Sequence, residues 1–391
     1  VTAPARQPPA RTLEQLLAAK EIVVCCGPGG VGKTTTAAAA AVMSAVALGG
    51  KTLVLTVDPA RRLADALGVE RIGNVESRIP PAAFKEAGVE PRGELWAAML
   101  DTKRSWDELV QRHAPDPQTA RRILSNHLYQ NISGRFVQSH EYIAMERLYE
   151  VHTSGRYDLV VVDTPPTRNA LEFLRAPDRM AEFFASKLLR LLTAPARSRV
   201  LSLASRPFYQ MADRILGSQF LEDIAEFFLL FQSMYDGFAE RAAAVKRLTH
   251  DRRTTFVVVT TLEAAPAHEA EVFLQTLVAE GFHPGALVLN KVLPGYLLDP
   301  GAAAVGERLS AGAAEVAAAL ADGAGSPAAV ARVLREVADS FLNFAVVAKR
   351  EAEQRAELGA MPDVVAAVPY FDADVVDLPG LLRLGRAIWG G

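Results

Sequence analysis

The stretch EIVVCCGPGGVGKTTTAAAA, residues 21–40, decides the fold of this 391-residue chain. Its first six residues form a short apolar run of strand type, and its last are alanine-rich and helical. Between them, Gly27-Pro28-Gly29-Gly30-Val31-Gly32-Lys33-Thr34 satisfies G-x-x-x-x-G-K-[ST]. A strand, a glycine loop and a helix in that order aim backbone N–H groups and the positive helix end at phosphate oxygens. Glycines let the backbone approach closely, Lys33 adds a positive charge between β- and γ-phosphates, and the Thr34 hydroxyl is a candidate Mg²⁺ ligand. Gly29, Gly30, Val31, Gly32, Lys33 and Thr34 are therefore the expected phosphate cradle. The alternative, a glycine turn that happens to precede Lys-Thr, does not account for a strand before it and a helix after it.

Apolar runs recur outward from this stretch. KTLVLTV (51–57), YDLVVVD (157–163), TTFVVVTT (254–261), GALVLN (285–290) and DVVAAV (363–368) join EIVVCC (21–26), with ELWAAML (94–100) a weaker seventh. Continuous rather than alternating apolar runs belong to strands covered on both faces, hence to a parallel sheet between helices. The expected fold is α/β: a doubly wound, mostly parallel sheet with a helical subdomain inserted. The core is expected from 13–100, 157–177, 251–296 and 359–391, after a leader over 1–12. Residues 101–156 and 178–250 read as the helical subdomain. An Ala/Gly-rich insertion over 297–358 follows, broken at GSP (325–327) and ending in a long helix over 335–358.

Two helical stripes stand out in the subdomain. Phe220, Ile224, Phe227, Phe231, Met234 and Phe238 share one face, widened by Leu221, Phe228 and Tyr235. Met180, Phe184, Leu188 and Leu191 do the same around 178–192. Such stripes are either contacts between helices or a Met- and Phe-rich groove for a hydrophobic client.

Composition narrows the classes. Half of the residues are hydrophobic and 22% are charged, which suits a soluble globular chain. A formal net charge of −3 argues against a nucleic-acid partner. No apolar run reaches the roughly 18 residues of a membrane span, and VTAPARQPPARTLEQ lacks a hydrophobic signal core; the expected location is cytoplasmic. A peripheral membrane contact is a further reading for LLRLGRAIWGG (381–391), where Leu381, Leu384, Ile388 and Trp389 share a face beside Arg383 and Arg386; docking of that segment on the core is the alternative. The two cysteines, Cys25 and Cys26, are adjacent on a strand and point to opposite faces, so they read as small buried residues.

Two carboxylates complete the constellation. Asp163 closes YDLVVVD, where an acid beside the phosphate loop can hold Mg²⁺ directly or through water. Asp58 closes KTLVLTVD at the same carboxyl edge of the sheet, where it can orient or deprotonate an attacking water. A helix N-cap is the competing role for either.

These residues resemble the anion-transporting ATPases, the family of the arsenite-pump ATPase and of the ATPase that delivers tail-anchored membrane proteins, within the deviant-Walker-A group of P-loop proteins. The resemblance runs through GGVGKTT, TVDPARRLADALG (56–68), VVVDTPPTRNALEFL (160–174), TTFVVVTTLEAAPAHEAEVFLQTL (254–277), LVLNKV (287–292) and AVPYFDADVVDLPGL (367–381). It implies ATP and Mg²⁺ as ligands. Asp58 matches the residue that positions the hydrolytic water, with Lys33 as its catalytic partner, and Asp163 matches the acid that holds magnesium through water. Thr35 matches a contact to the α-phosphate, Asn290 the reader of the adenine edge, and Pro369 and Tyr370 the loop over the base. His140 and Glu141, in SHEYIAMERL, receive no chemical role.

The departures carry information too. The family's loop has a lysine where Pro28 stands, and that lysine reaches across a dimer to the partner's nucleotide. Proline offers neither charge nor N–H. The expectation is a homodimer lacking that cation, a heterodimer with a paralogous ATPase that supplies it, or a switch in which Arg61 or Arg62 substitutes. The third cysteine needed for arsenite sensing is absent, as are a second phosphate loop and the paired-cysteine zinc staple. The readings set side by side are an ATP-hydrolysing switch controlling a client- or partner-binding helical subdomain, an ATP-binding assembly module with little turnover, and a membrane-positioning ATPase.

Overall fold

The computed structural model describes residues 11–57, 62–69, 72–132, 139–166, 174–176, 178–179, 182, 226–230, 234–320, 326–358 and 362–390. Element labels below number the described elements in chain order. Eight strands form one sheet: β1 (Ile22–Cys26), β2 (Lys51–Thr56), β3 (Ser77–Arg78), β4 (Glu94–Met99), β5 (Leu159–Asp163), β6 (Thr254–Thr260), β7 (Pro284–Val292) and β8 (Val364–Pro369). Their order across the sheet is β3-β4-β2-β5-β1-β6-β7-β8. Every pairing is parallel except β3 with β4. The expected α/β class and mostly parallel sheet are therefore what the chain adopts, and the weak run ELWAAML is strand β4.

Strand β3 was not foreseen. Two residues carry no readable period, and neither Ser nor Arg favours a strand. Distant partners make it: Ile79 N–H bonds the Leu95 carbonyl at 2.8 Å, and Arg78 pairs with Glu94 at 3.0 Å.

The central strands β1 and β5 are buried along their whole length because helices cover both faces of the sheet. Alternation along β1 splits the core in two: Ile22, Val24 and Cys26 face one apolar layer, Val23 and Cys25 the other. Thus the adjacent cysteines do lie on opposite faces, both as free thiols.

The first layer is built by α5 (Thr102–His113), α6 (Pro117–Ser125), α7 (His127–Ile132), α8 (Ser139–Thr153), α9 (Tyr235–Thr249) and α10 (Ala264–Ala279). Asp101 and Asp116 cap α5 and α6 by accepting N–H bonds from Arg104 and from Gln118 and Thr119. Trp106, Tyr142 and Phe238 pack mutually, with ring centroids 5.9–6.3 Å apart. Of the aromatic stripe, Phe227, Met234 and Phe238 are buried in this core, so these members serve as contacts between helices. Phe220, Leu221, Ile224 and Phe231 lie outside the described residues, as do Met180, Phe184, Leu188 and Leu191 of the second stripe.

The opposite layer contains α1 (Leu13–Ala18), α2 (Lys33–Ala47), α3 (Arg62–Ala66), α4 (Pro81–Glu86) and α14 (Leu378–Trp389). Asp377 caps α14, whose Leu381, Leu384, Ile388 and Trp389 are buried against α2 and the sheet. A Cβ on Gly385 would come within 2.3 Å of Met43 Cγ, a measure of how closely α14 lies on α2. The face on which the lipid-binding reading depended is therefore core. Each such side chain contributes roughly 1.5–3 kcal/mol of burial before the loss of chain entropy.

A third group lies between β7 and β8: a 3₁₀ turn (Gly295–Leu298), α11 (Pro300–Ala311), α12 (Ala313–Ala319) and α13 (Pro327–Glu357). Helix α13 begins eight residues before the expected 335. Its start is written in the GSP break itself: Ser326 caps the helix by accepting the Ala329 N–H, and Pro327 occupies the first turn, where its missing N–H is harmless. Among the described residues, no helix is long and apolar enough to cross a membrane.

Candidate functional site

The loop between β1 and α2 is held open by backbone conformations that favour glycine. Gly27, Gly30 and Gly32 have φ of 148°, 78° and 94°. At Gly27 a Cβ would lie 2.0 Å from the Val259 carbonyl oxygen, and at Gly32 one would lie 2.4 Å from Asn290 Nδ2. Gly27 thus seats the loop on β6, and Gly32 seats it on the end of β7. Gly32 is also the N-cap of α2, so the helix's free N–H groups open at the loop.

Lys33 is buried and donates from Nζ to the Pro28 carbonyl at 2.7 Å. Its ammonium group is folded back over the loop. Pro28 is itself buried, so position 28 presents no side chain outward and contributes no cation. The sequence raised the question of what a proline does here; locally, its carbonyl anchors the loop's lysine.

Asn290 donates from Nδ2 to the Val31 carbonyl at 2.7 Å, and its Oδ1 accepts the Lys291 N–H at 2.9 Å. A side chain expected to face a base ties β7 to the loop between β1 and α2 across 259 positions of sequence. Lys291 has φ of 59°, rare for a residue with a side chain, which turns the strand end toward the cleft.

Asp163 is fully buried at the end of β5, in register with Cys25 and Thr56. Its Oδ2 accepts from Thr56 Oγ1 at 3.0 Å. The neighbouring Thr164 donates from both N–H and Oγ1 to the Cys25 carbonyl. Thr56 was missed by sequence reasoning, though its place at the end of a strand beside the acid's own strand was a usable signal. Burial raises the pKa of both cysteines, and the Asp163 carboxylate raises Cys25 further.

These elements border a cleft of about 640 Å³. Gly30, Gly32, Lys33, Thr34 and Thr35 form one wall; Asn290, Pro369 and Tyr370 form another. Leu63, Asp65 and Ala66 of α3 and Thr164 and Pro166 after β5 close the rim, with Phe371 and residues 373–376 beyond Tyr370. Sequence reasoning quoted this stretch, 367–381, as part of the resemblance but gave a role only to Pro369 and Tyr370. Arg383 stacks on Phe371 at 4.5 Å and fixes that loop to α14. Gly29 and Val31 do not line the cleft: Gly29 is exposed at its edge and Val31 turns inward. Asp58 and Arg61 lie outside the described residues. Among the described residues, no cluster of His, Cys, Asp and Glu side chains has a metal-binding arrangement of its own.

Comparison with known proteins identifies the family. The family described as anion-transporting ATPase matches residues 20–303. A protein of Streptomyces coelicolor described only as uncharacterized is 28% identical over 257 residues, 64% of this chain and 57% of its own length. A putative arsenical pump-driving ATPase of Chlorobaculum tepidum is 26% identical over 257 residues, 63% of this chain and 55% of its own. The ATPase get3 of Aspergillus terreus is 26% identical over 248 residues, 62% of this chain and 64% of its own. The chain spans between about half and two thirds of the length of these relatives.

Proposed function

The chain belongs to the anion-transporting ATPase family, and from that premise we propose that it binds ATP with Mg²⁺ in the cleft above residues 27–35 and hydrolyses it. The observation that carries this reading is the loop itself, kept open by left-handed glycines on a strand-to-helix junction and facing a cleft with Asn290 and Tyr370 on the far wall. Amides at the start of α2 would take the phosphate oxygens, and Lys33 would exchange the Pro28 carbonyl for phosphate. Thr34, lining the cleft, and Asp163, buried behind it, have the oxygen-donor chemistry that Mg²⁺ prefers. Bound there, the ion would neutralise charge developing on the transferred phosphoryl group. Thr35, Asn290, Pro369 and Tyr370 would complete the contacts to ATP. Asp58 would orient the attacking water.

In this reading the nucleotide state controls the helical subdomain expected over 101–156 and 178–250, which would hold a hydrophobic protein or lipid client or a partner. The chain works as a dimer, and a paralogous ATPase bearing lysine at the position of Pro28 supplies the missing cation. A second reading, ATP as a structural ligand with little turnover, is favoured by the buried Pro28 alone.

Calorimetric titration with ATP and phosphate release by wild type, Asp58→Asn and Lys33→Ala separate the two. Hydrolysis requires that Asp58→Asn keep ATP binding and lose turnover by about a hundredfold. Wild-type turnover no faster than that of Lys33→Ala, despite tight binding, selects the structural reading.

A further inference from the structure

We propose that Asn74 is a positioning residue that couples the nucleotide cleft to the helical layer; the inference rests on the reading that the cleft holds ATP. A continuous run of hydrogen bonds leads there. Asp163 accepts from Thr56 Oγ1 at 3.0 Å, and the Thr56 carbonyl accepts the Leu100 N–H at 3.0 Å. The next residue, Asp101, caps α5 and donates its own N–H to Asn74 Oδ1 at 3.2 Å.

Asn74 is buried, with 5% of its surface exposed, and it uses both ends of its amide. Oδ1 also accepts from Ser105 Oγ at 2.8 Å, while Nδ2 donates to Glu108 at 3.1 Å. Its main-chain carbonyl accepts from Arg147 Nη2 of α8 at 2.9 Å. Arg147 continues to Glu76 and Glu150, and Glu150 to Arg112. Helices α5 and α8 are thus both fastened to residues 74–76. On the other side, that segment follows α3, whose Leu63, Asp65 and Ala66 line the cleft.

The chemistry selects an amide. An aspartate would set a carboxylate against Glu108. An apolar residue would leave the buried Ser105 hydroxyl without its acceptor, which is costly, and would remove one of Glu108's partners, Arg104 being the other. A displacement of α3 by nucleotide would pull on α5 through the Asn74 side chain and on α8 through the Asn74 main-chain carbonyl. Burial leaves the pair Arg147–Glu76 little freedom to re-form elsewhere.

The test is amide hydrogen exchange of the full chain over 102–113 and 139–153, with and without a non-hydrolysable ATP analogue and Mg²⁺. Wild type is expected to change exchange in both helices by about tenfold, an ordinary coupling. Asn74→Ala is expected to bind the analogue within about twofold of wild type while its response over 102–113 falls below about twofold; the main-chain bond to Arg147 is kept, so 139–153 loses less. Ser105→Ala removes a single bond and gives a partial loss should Asn74→Ala not fold; Arg147→Lys, which keeps a donor, restores more of the response than Arg147→Met. A full response in both Asn74→Ala and Ser105→Ala overturns the inference. So does a wild type that binds the analogue without any response in these helices, and that result leaves the ATP reading standing. Wild type that does not bind the analogue overturns the ATP reading, and the inference with it.

Discussion

Gly27→Ala tests whether the loop's position is dictated by β6. The new Cβ would lie 2.0 Å from the Val259 carbonyl oxygen and 3.0 Å from its carbonyl carbon. Carbon–oxygen contacts settle near 3.3 Å at closest, so the two segments must part by more than about 1 Å. Val259 cannot be the one to move, because β6 is hydrogen-bonded on both sides, to β1 and β7. The loop must yield, and with it the seat of Lys33. Overpacking of this kind costs about 1–3 kcal/mol, and a side chain at φ of 148° adds a further 1–3 kcal/mol or so. Gly30→Ala is the control: its φ is 78°, yet a Cβ there meets nothing within 4 Å. It should cost only the backbone term, about 1–2 kcal/mol. Urea unfolding of both variants should therefore place Gly27→Ala about 1–3 kcal/mol below Gly30→Ala. Equal losses, or a larger loss at Gly30, would refute the reasoning, since the two glycines differ chiefly in what surrounds them.

Asn290→Ala should cost about 1 kcal/mol of stability from the lost bond to the Val31 carbonyl, and should weaken ATP binding as well; calorimetry showing unchanged affinity would confine Asn290 to a structural role. His113 is held at about 4, first by burial and then by the neighbouring Arg241 and Arg112. The unfolded chain takes up that proton near pH 6.5 and the folded chain does not. The contribution is therefore complete above about pH 6.5 and is lost as pH falls toward 4; His113→Gln should flatten the stability–pH curve in that window, as followed by thermal unfolding. Cys25 and Cys26, buried with raised pKa values, should resist alkylation at pH 8 until denaturant is added; modification of the native protein detected by mass spectrometry would contradict their burial.

Much of this molecule is legible from local pattern. Strand, glycine loop and alanine helix are contiguous, so the loop from Gly27 to Thr34 can be read without knowing what surrounds it, although Gly29 and Val31 turn out not to line the cleft. The apolar runs announce a parallel sheet for the same reason, because a strand buried on both faces has no polar side to display. Capping is local as well: Ser326-Pro327 starts α13, although the long helix was read from its interior period and so placed eight residues late.

What tertiary structure decided are the meetings of residues far apart in sequence. No periodicity indicates that Asn290 ties down Val31, that Val259 fixes which residue can stand at position 27, or that Ser77–Arg78 becomes a strand by lying beside Glu94. The amphipathic end of the chain shows the limit most plainly. Leu381, Leu384, Ile388 and Trp389 require an apolar neighbour, and sequence states that requirement without naming the neighbour; the packing of Gly385 on Met43 names α2. Burial makes the demand locally, but only the folded chain determines which surface meets it.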